Sequence, residues 1–350
     1  MPKEIEIGSY KINETSPCFI IAEAGVNHNG DLSEAFKLID AAKEAGANAV
    51  KFQTFKADKL VLDEAPKAGY QLVTTSSEES QKEMLRKLEL QAADFERLNN
   101  YAADKGIMML STPFDLDSVD LLVKIGIPAL KLSSGDLLNI PLLRKVKATE
   151  LPVILSTGMS NLGEIEKALA VFGEEGRSQL ILLQCTTNYP IEPEEANLRV
   201  MDTYRSAFKL HVGFSDHTAT IESALAASAL GARVIEKHFT LDKSAPGPDH
   251  SASLEPKEFG QMVKSIRMVE ASLGSSEKCL SPVEADIKKV ARRSIVSGQN
   301  IAKGEVLSEE NLVLMRPGSG ITGQFLNTIL GKVASRDISQ FQMIEWTDIE

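Results

Sequence analysis

The chain has 350 residues, 43% of them hydrophobic, and a formal net charge of −11. That length suits one large domain with an appendage, and the acidic balance argues against nucleic acid or an anionic membrane as partner while leaving room for a small anionic substrate in a locally cationic pocket. Three widely spaced cysteines give no disulfide framework, residues 1–16 lack the apolar stretch of a signal peptide, and no run approaches the ~20 apolar residues that span a bilayer, so a cytoplasmic protein is expected.

Residues 1–16 read as a polar lead-in, a hairpin that caps the bottom of a barrel. Then eight short apolar runs each end in a polar residue. Run 19–22 ends at Glu23, 49–50 at Lys51, 107–110 at Ser111 and Thr112, and 129–130 at Lys131. Run 153–155 ends at Ser156, 180–183 at 184–188, 210–214 at Ser215, Asp216 and His217, and 234–235 at Glu236, Lys237 and His238. Helix-length stretches such as 33–45 and 161–172 lie between them, the first with Asp31 or Ser33 as N-cap and Gly46 as stop. Eight buried strands alternating with helices predict an α/β fold, a (β/α)8 TIM barrel. Its strand C-termini form one active-site mouth, so the polar residues converge there.

Two connections are long. Residues 54–91 come after the second run and carry Tyr70 and the polar stretch 74–79; residues 242–254 come after the eighth and carry Pro246-Gly247-Pro248-Asp249-His250. Long insertions at a barrel mouth are where substrate-specific contacts usually sit. A helix at 256–273 closes the barrel domain, 1–274. Residues 275–286 read as a polar linker, and 287–350 as a small β-rich domain near the lower size for independent folding.

His217 and His238, at the ends of adjacent strands and beside Asp216 and Glu236, suit a divalent transition metal such as Mn, Zn or Co; a pair of hydrogen-bonding barrel histidines is the competing reading. His28 and His250 are further mouth candidates, and His211 falls inside a strand as a structural residue. Lys51 and Lys131 with Thr112, Ser134, Ser156 and Ser215 make an anion site for phosphate and carboxylate; taken singly, each hydroxyl reads as a helix cap and Lys131 as a salt-bridge partner of Asp136. Glu23 can hold sugar hydroxyls, move a proton, or pair with Lys51 on the next strand. Cys185, near the mouth without a base, reads as packing. Two other functions fit parts of this pattern: a Schiff-base aldolase using Lys131 or Lys237, and a non-catalytic sugar-binding barrel.

In order, Ile21-Ala22-Glu23-Ala24-Gly25-Val26-Asn27-His28-Asn29-Gly30, Lys51-Phe52-Gln53-Thr54, Ser111-Thr112-Pro113-Phe114, Lys131-Leu132-Ser133-Ser134-Gly135-Asp136, Leu155-Ser156-Thr157-Gly158-Met159, Cys185-Thr186-Thr187-Asn188-Tyr189-Pro190, Gly213-Phe214-Ser215-Asp216-His217-Thr218, Glu236-Lys237-His238-Phe239-Thr240 and Gly247-Pro248-Asp249-His250 resemble the sialic acid synthase family, over nearly the whole chain. Ala291-Arg292-Arg293-Ser294-Ile295 and Met315-Arg316-Pro317-Gly318 resemble that family's C-terminal antifreeze-like (SAF) domain. The resemblance implies a transferase that condenses phosphoenolpyruvate with an N-acetylated mannosamine-type sugar and releases phosphate, yielding N-acetylneuraminate or N,N'-diacetyllegionaminate. It implies Mn on His217 and His238, with Glu236 beside it. It implies Lys51, Thr112, Lys131, Ser134, Ser156 and Ser215 around phosphoenolpyruvate, with Asp136 and Thr187 joining the substrate site. Glu23, Tyr189 and Asp249 would face the amino sugar, with the partner subunit's Arg316 in a domain-swapped homodimer. The sequence departs from the N-acetylneuraminate pattern at Thr187-Asn188-Tyr189 and in the insertion near 70–75, and 65–71 and 246–250 are more similar to legionaminic acid synthases.

Overall fold

The computed structural model describes residues 2–76 and 78–350; Ser77, inside the polar stretch 74–79, and the side chains of Tyr70, Val73 and Thr74 lie outside the description. The chain forms two compact units, Met1–Gly274 and Ser275–Glu350.

The first unit opens with a two-stranded antiparallel hairpin, β1 (Ile5–Ile7) and β2 (Tyr10–Ile12). Eight parallel strands come next: β3 (Phe19–Gly25), β4 (Ala49–Thr54), β5 (Met108–Pro113), β6 (Leu130–Leu132), β7 (Val153–Ser156), β8 (Leu180–Gln184), β9 (His211–Asp216) and β10 (Val234–His238). Each pairs with the next, and β10 pairs with β3 to close the barrel. Helices alternate with the strands. The first, Leu32–Glu44, starts where the Asp31 side chain accepts from the Ser33 N–H and stops before Gly46, whose φ of +87° suits glycine.

The two-residue period of a strand sorts the barrel into an outer and an inner surface. Outward side chains such as Ile20, Val50, Phe52, Leu132, Leu182 and Phe214 pack on the helices in one large core. Inward side chains stack in layers. The lowest layers are apolar: Phe19, Ile21, Ala49, Leu110, Ile154, Ile181, Leu183 and Val234 form a second core with Ile5, Ile7 and Ile12 of the hairpin. The hairpin therefore plugs the N-terminal end of the barrel, and a hydrogen bond of 2.8 Å between His211 Nε2 and the Lys3 carbonyl ties it down. Moving up the same inward faces, the side chains turn polar. Glu23 stands two residues above Ile21, Lys51 above Ala49, Thr112 above Leu110, Ser156 above Ile154 and Glu236 above Val234.

The second unit has a core of Ile295, Ile301, Leu307, Leu312, Ile321, Ile329, Ala334, Ile338 and Ile344. Its strands β11 (Ser294–Ser297) and β12 (Leu312–Met315) are antiparallel. The segment read as a linker at 275–286 is helical from Pro282, in a helix that runs Pro282–Ala291. Its start is encoded locally: Pro282 occupies the first turn and the Glu284 carboxylate accepts from the Ser281 N–H at 3.1 Å. Polar composition concealed this signal.

Candidate active site

The polar layer forms the floor of a cavity of about 390 Å³ in the barrel unit, within the roughly 300–1,000 Å³ usual for small-molecule sites. Its lining brings together Glu23, Lys51, Thr112, Lys131, Ser134, Ser156, Thr187, Tyr189, Ser215, His217, Glu236, His238 and Asp249, residues spread over more than half the sequence.

The floor is a chain of buried charges. Lys51 Nζ lies 2.6 Å from Glu23 Oε2, donates to Thr112 Oγ1 at 2.9 Å and stands 3.7 Å from Glu236 Oε2. Lys131 Nζ lies 3.4 Å from Glu236 Oε1, which also accepts from Ser215 Oγ at 3.0 Å. Glu236 thus separates two ammonium groups. Burial alone would push its carboxyl up, but Lys131 and Lys51 outweigh burial and hold it well below the usual carboxylate range. Burial also works against the Lys51 ammonium, and Glu23 and Glu236 overcome it, so Lys51 stays charged. Lys131 has less support: burial, helped by Lys51, pulls it below the ordinary lysine value. Glu23 is raised, first by burial and then by Glu236. Gln53, two residues above Lys51 on the same face, donates from Nε2 to Glu23 Oε1 at 3.1 Å. Gln53 belongs to the site although reading the sequence did not single it out; the strand period from Lys51 was the available signal.

Beside this floor stand the two histidines, His238 in register with Glu23 on the neighbouring strand, their ring centroids 5.6 Å apart, with the Tyr189 ring 4.2 Å from His217 and 5.2 Å from His238. The Thr186 carbonyl is 2.6 Å from His217 Nδ1 and can only accept, so that nitrogen carries the proton and Nε2 presents a lone pair, 3.3 Å from Ser215 Oγ. His238 Nδ1 is buried without a hydrogen-bond partner among the described residues, 4.0 Å from Asp249 Oδ2. Burial pushes His217 down to about 4 and His238 well below its ordinary value, His217 adding to the effect on the latter. Both imidazoles are therefore neutral near pH 7, the form that ligates metals. Among the described residues no group of three or more His, Cys, Asp or Glu side chains is arranged to hold an ion. The donor set fits a divalent transition metal bound by two imidazoles and completed by other oxygen ligands.

Asp249 is brought to the mouth by the loop after β10. Asn27 Nδ2 donates to the Phe239 carbonyl and to Ser253 Oγ, each at 3.0 Å, and Ser253 Oγ donates to the Asp249 carbonyl at 2.6 Å. Burial, with Glu23 nearby, pushes the Asp249 carboxyl up to about 7. Ser134 Oγ accepts from the Gly158 N–H at 2.9 Å and lies 3.1 Å from Cys185 Sγ. The oxygens of Ser156 and Thr187 are buried and unpaired among the described residues, so both can accept or donate to a ligand.

Several expected residues stand elsewhere. Asp136 is absent from the cavity lining: its carboxylate accepts from Ser133 Oγ at 2.8 Å and Asn139 Nδ2 at 3.0 Å, fixing the turn after β6, and Lys131 pairs with Glu236 instead. Asp216 and Lys237 alternate with the inward residues and point out of the barrel, where they pair at 2.9 Å with Lys237 fully buried and donating to the Thr220 carbonyl at 2.8 Å. His28 accepts at Nδ1 from the Gly30 N–H, and His250 Nδ1 lies 2.6 Å from Thr240 Oγ1; both brace loops. Arg316 belongs to the second unit, where Nε donates to the Ala291 carbonyl at 2.9 Å.

Comparison with known proteins identifies the family and the fold. A model of the NeuB family matches residues 38–278, and one of the SAF domain matches residues 292–350. The N,N'-diacetyllegionaminic acid synthase of Campylobacter jejuni is 48% identical, over 93% of this chain and 98% of its own length. The protein of the same name from Legionella pneumophila is 45% identical over 97% and 98%. Among solved structures, the N-acetylneuraminic acid (sialic acid) synthetase of Leptospira borgpetersenii in complex with citrate superposes with a TM-score of 0.74 at 35% identity, covering 82% of this chain and 95% of that one. A closed barrel with its polar layer at one mouth, an SAF domain after it in the chain, and relatives that align from end to end lead to one assignment: the chain belongs to the NeuB family.

Proposed function

We propose that the protein is a nonulosonic acid synthase that joins phosphoenolpyruvate to the open-chain aldehyde of an N-acetylated hexosamine, and that the sugar is 2,4-diacetamido-2,4,6-trideoxymannose, giving N,N'-diacetyllegionaminate. The observation that carries the reading is the floor itself: two buried lysines, spaced by Glu236 and ringed by hydroxyls, beside two neutral histidines in one cavity. The two relatives at 48% and 45% identity share the legionaminic name, which favours that product within the family.

In this mechanism Lys51, Lys131, Thr112, Ser134, Ser156 and Ser215 hold the phosphate and carboxylate of phosphoenolpyruvate, in a buried site where such contacts are strong. Its C3 forms a bond to the sugar C1, water adds at C2, and the C2–O bond to phosphate breaks, leaving a 2-keto acid. Water addition releases a proton and the aldehyde oxygen gains one; Glu23, raised by burial, mediates that exchange. Tyr189, Gln53 and Asp249 orient the sugar, and the partner subunit's Arg316 completes its binding in a domain-swapped homodimer. His217 and His238 would hold the metal, for which we favour Mn; bound, it would supply Lewis-acid polarisation of the aldehyde. The three free cysteines fit a cytoplasmic enzyme. A Schiff base at Lys237 is incompatible with its position outside the barrel.

Phosphate release from phosphoenolpyruvate with Mn, compared between N-acetylmannosamine and the diacetamido-trideoxy sugar, tests the assignment. Preference for the second is expected, together with loss of metal binding by calorimetry in His217→Ala, His238→Ala. Full activity in that double variant would remove the metal role, and release with neither sugar would overturn the synthase reading.

A further inference from the structure

The insertion between β4 and β5 builds a second, chemically distinct half of the cavity. Leu60, Val61, Met84 and Leu85 line it, joined by Val26 from the loop after β3 and Phe114 after β5. Val26, Phe55, Met84 and Leu88 form a small core of their own, with Leu60, Leu85 and Phe114 packed on it. The wall is thus a supported apolar surface rather than a scatter of loop residues. Three amides, Gln53, Gln71 and Gln81, are set into the same cavity. Gln71 Oε1 accepts from the Ala68 N–H at 3.0 Å and from Gln81 Nε2 at 3.4 Å, which fixes the orientation of its amide.

An apolar wall interrupted by amides matches methyl and acetamido groups better than hydroxyls. A buried hydroxyl without a partner costs free energy, whereas a methyl group gains it on leaving water. N-acetylmannosamine presents hydroxyls at C4 and C6; the 2,4-diacetamido-2,4,6-trideoxy sugar presents an acetamido group and a methyl there. We propose that the 54–91 insertion determines the sugar specificity of the enzyme, with Leu60, Val61, Met84 and Leu85 receiving the C6 methyl and the C4 acetyl methyl, and Gln71 and Gln81 the C4 amide. This inference rests on the synthase reading above and names the part of the site that chooses the sugar.

The test is the ratio of kcat/KM for the diacetamido-trideoxy sugar to that for N-acetylmannosamine, in the full chain and in Leu85→Asn and Leu60→Asn. Both positions are only partly buried, so the pair guards against loss of one variant to misfolding, which thermal melting would register. Each substitution should lower the ratio about tenfold or more, the discrimination expected from one apolar contact with a methyl group. A wild-type enzyme that prefers the trideoxy sugar, with folded variants that keep its full preference, overturns the wall while sparing the synthase reading. A wild-type preference for N-acetylmannosamine overturns the wall and the choice of sugar together. Turnover of neither sugar overturns the synthase reading on which the wall rests.

Discussion

Replacing Lys51 by methionine would reveal how far the active-site floor also holds the barrel together. Methionine keeps most of the volume and removes the ammonium that lies 2.6 Å from Glu23 and 3.7 Å from Glu236, three side chains no more than 5% exposed. The variant strands Glu23, leaves Thr112 without its donor, and sets two buried carboxyls against each other with only Lys131 beside Glu236. Removing one partner of a buried ion pair costs about 3–5 kcal/mol, because the remaining charge stays desolvated. At about 2–4 °C per kcal/mol for a domain of this size, the barrel should melt on the order of 10 °C lower. Adding Glu23→Gln removes the stranded charge, so the double variant should recover at least half of that loss. Scanning calorimetry of the ligand-free protein at pH 7.5 measures both. A Lys51→Met protein melting within about 2 °C of wild type would refute the argument, as would a double variant less stable than Lys51→Met alone. Activity should fall in both variants, so stability and catalysis are read separately.

Two further outcomes concern His28 and a pair of glycines. Burial lowers His28 from its ordinary value near 6.5 to about 4, so the folded state resists protonation that the unfolded chain accepts; the stability is present above pH 6.5 and is lost as pH falls towards 4. Between pH 7.5 and 5 this amounts to about 2 kcal/mol, and urea titrations at the two pH values should show a drop smaller by that amount in His28→Asn; equal drops would refute it. At Gly213, inside β9, an added Cβ would fall onto the Val234 carbonyl oxygen and 2.6 Å from Leu183 Cδ2, whereas Gly69, at a helix start, has nothing within 4 Å. Gly213→Ala should therefore cost about 3 kcal/mol and Gly69→Ala should stabilise by about 0.5 kcal/mol, in the same urea assay; similar effects at the two sites would refute the steric argument.

The barrel was legible because each strand is short, apolar and closed by a chemically able residue, a pattern that survives without knowledge of neighbours. The pairing of Glu23 with Lys51 could be read from the sequence for the same reason, since adjacent strands of a parallel barrel bring equivalent positions together, and these two are register partners. Reading failed where direction mattered. Glu236 and His238 face inward while Lys237 between them faces out, and the same alternation removes Asp216 from the side of Ser215 and His217. A strict two-residue count would have separated them. Asp136 misled for a different reason: its neighbours Ser133 and Asn139 satisfy it locally, and the composition of a turn does not disclose which of its polar groups are already engaged. The apolar wall of 54–91 escaped because a satellite core of a few residues has no periodicity to mark it.

The hairpin at the start of the chain makes the barrel a vessel with one opening. With Ile5, Ile7 and Ile12 sealed against the lowest layer, nothing drains through the base. The mixed-charge floor of Lys51, Glu23, Glu236 and Lys131 lies above that apolar plug, so under the proposed synthase reading the reactants enter and the products leave through the same mouth.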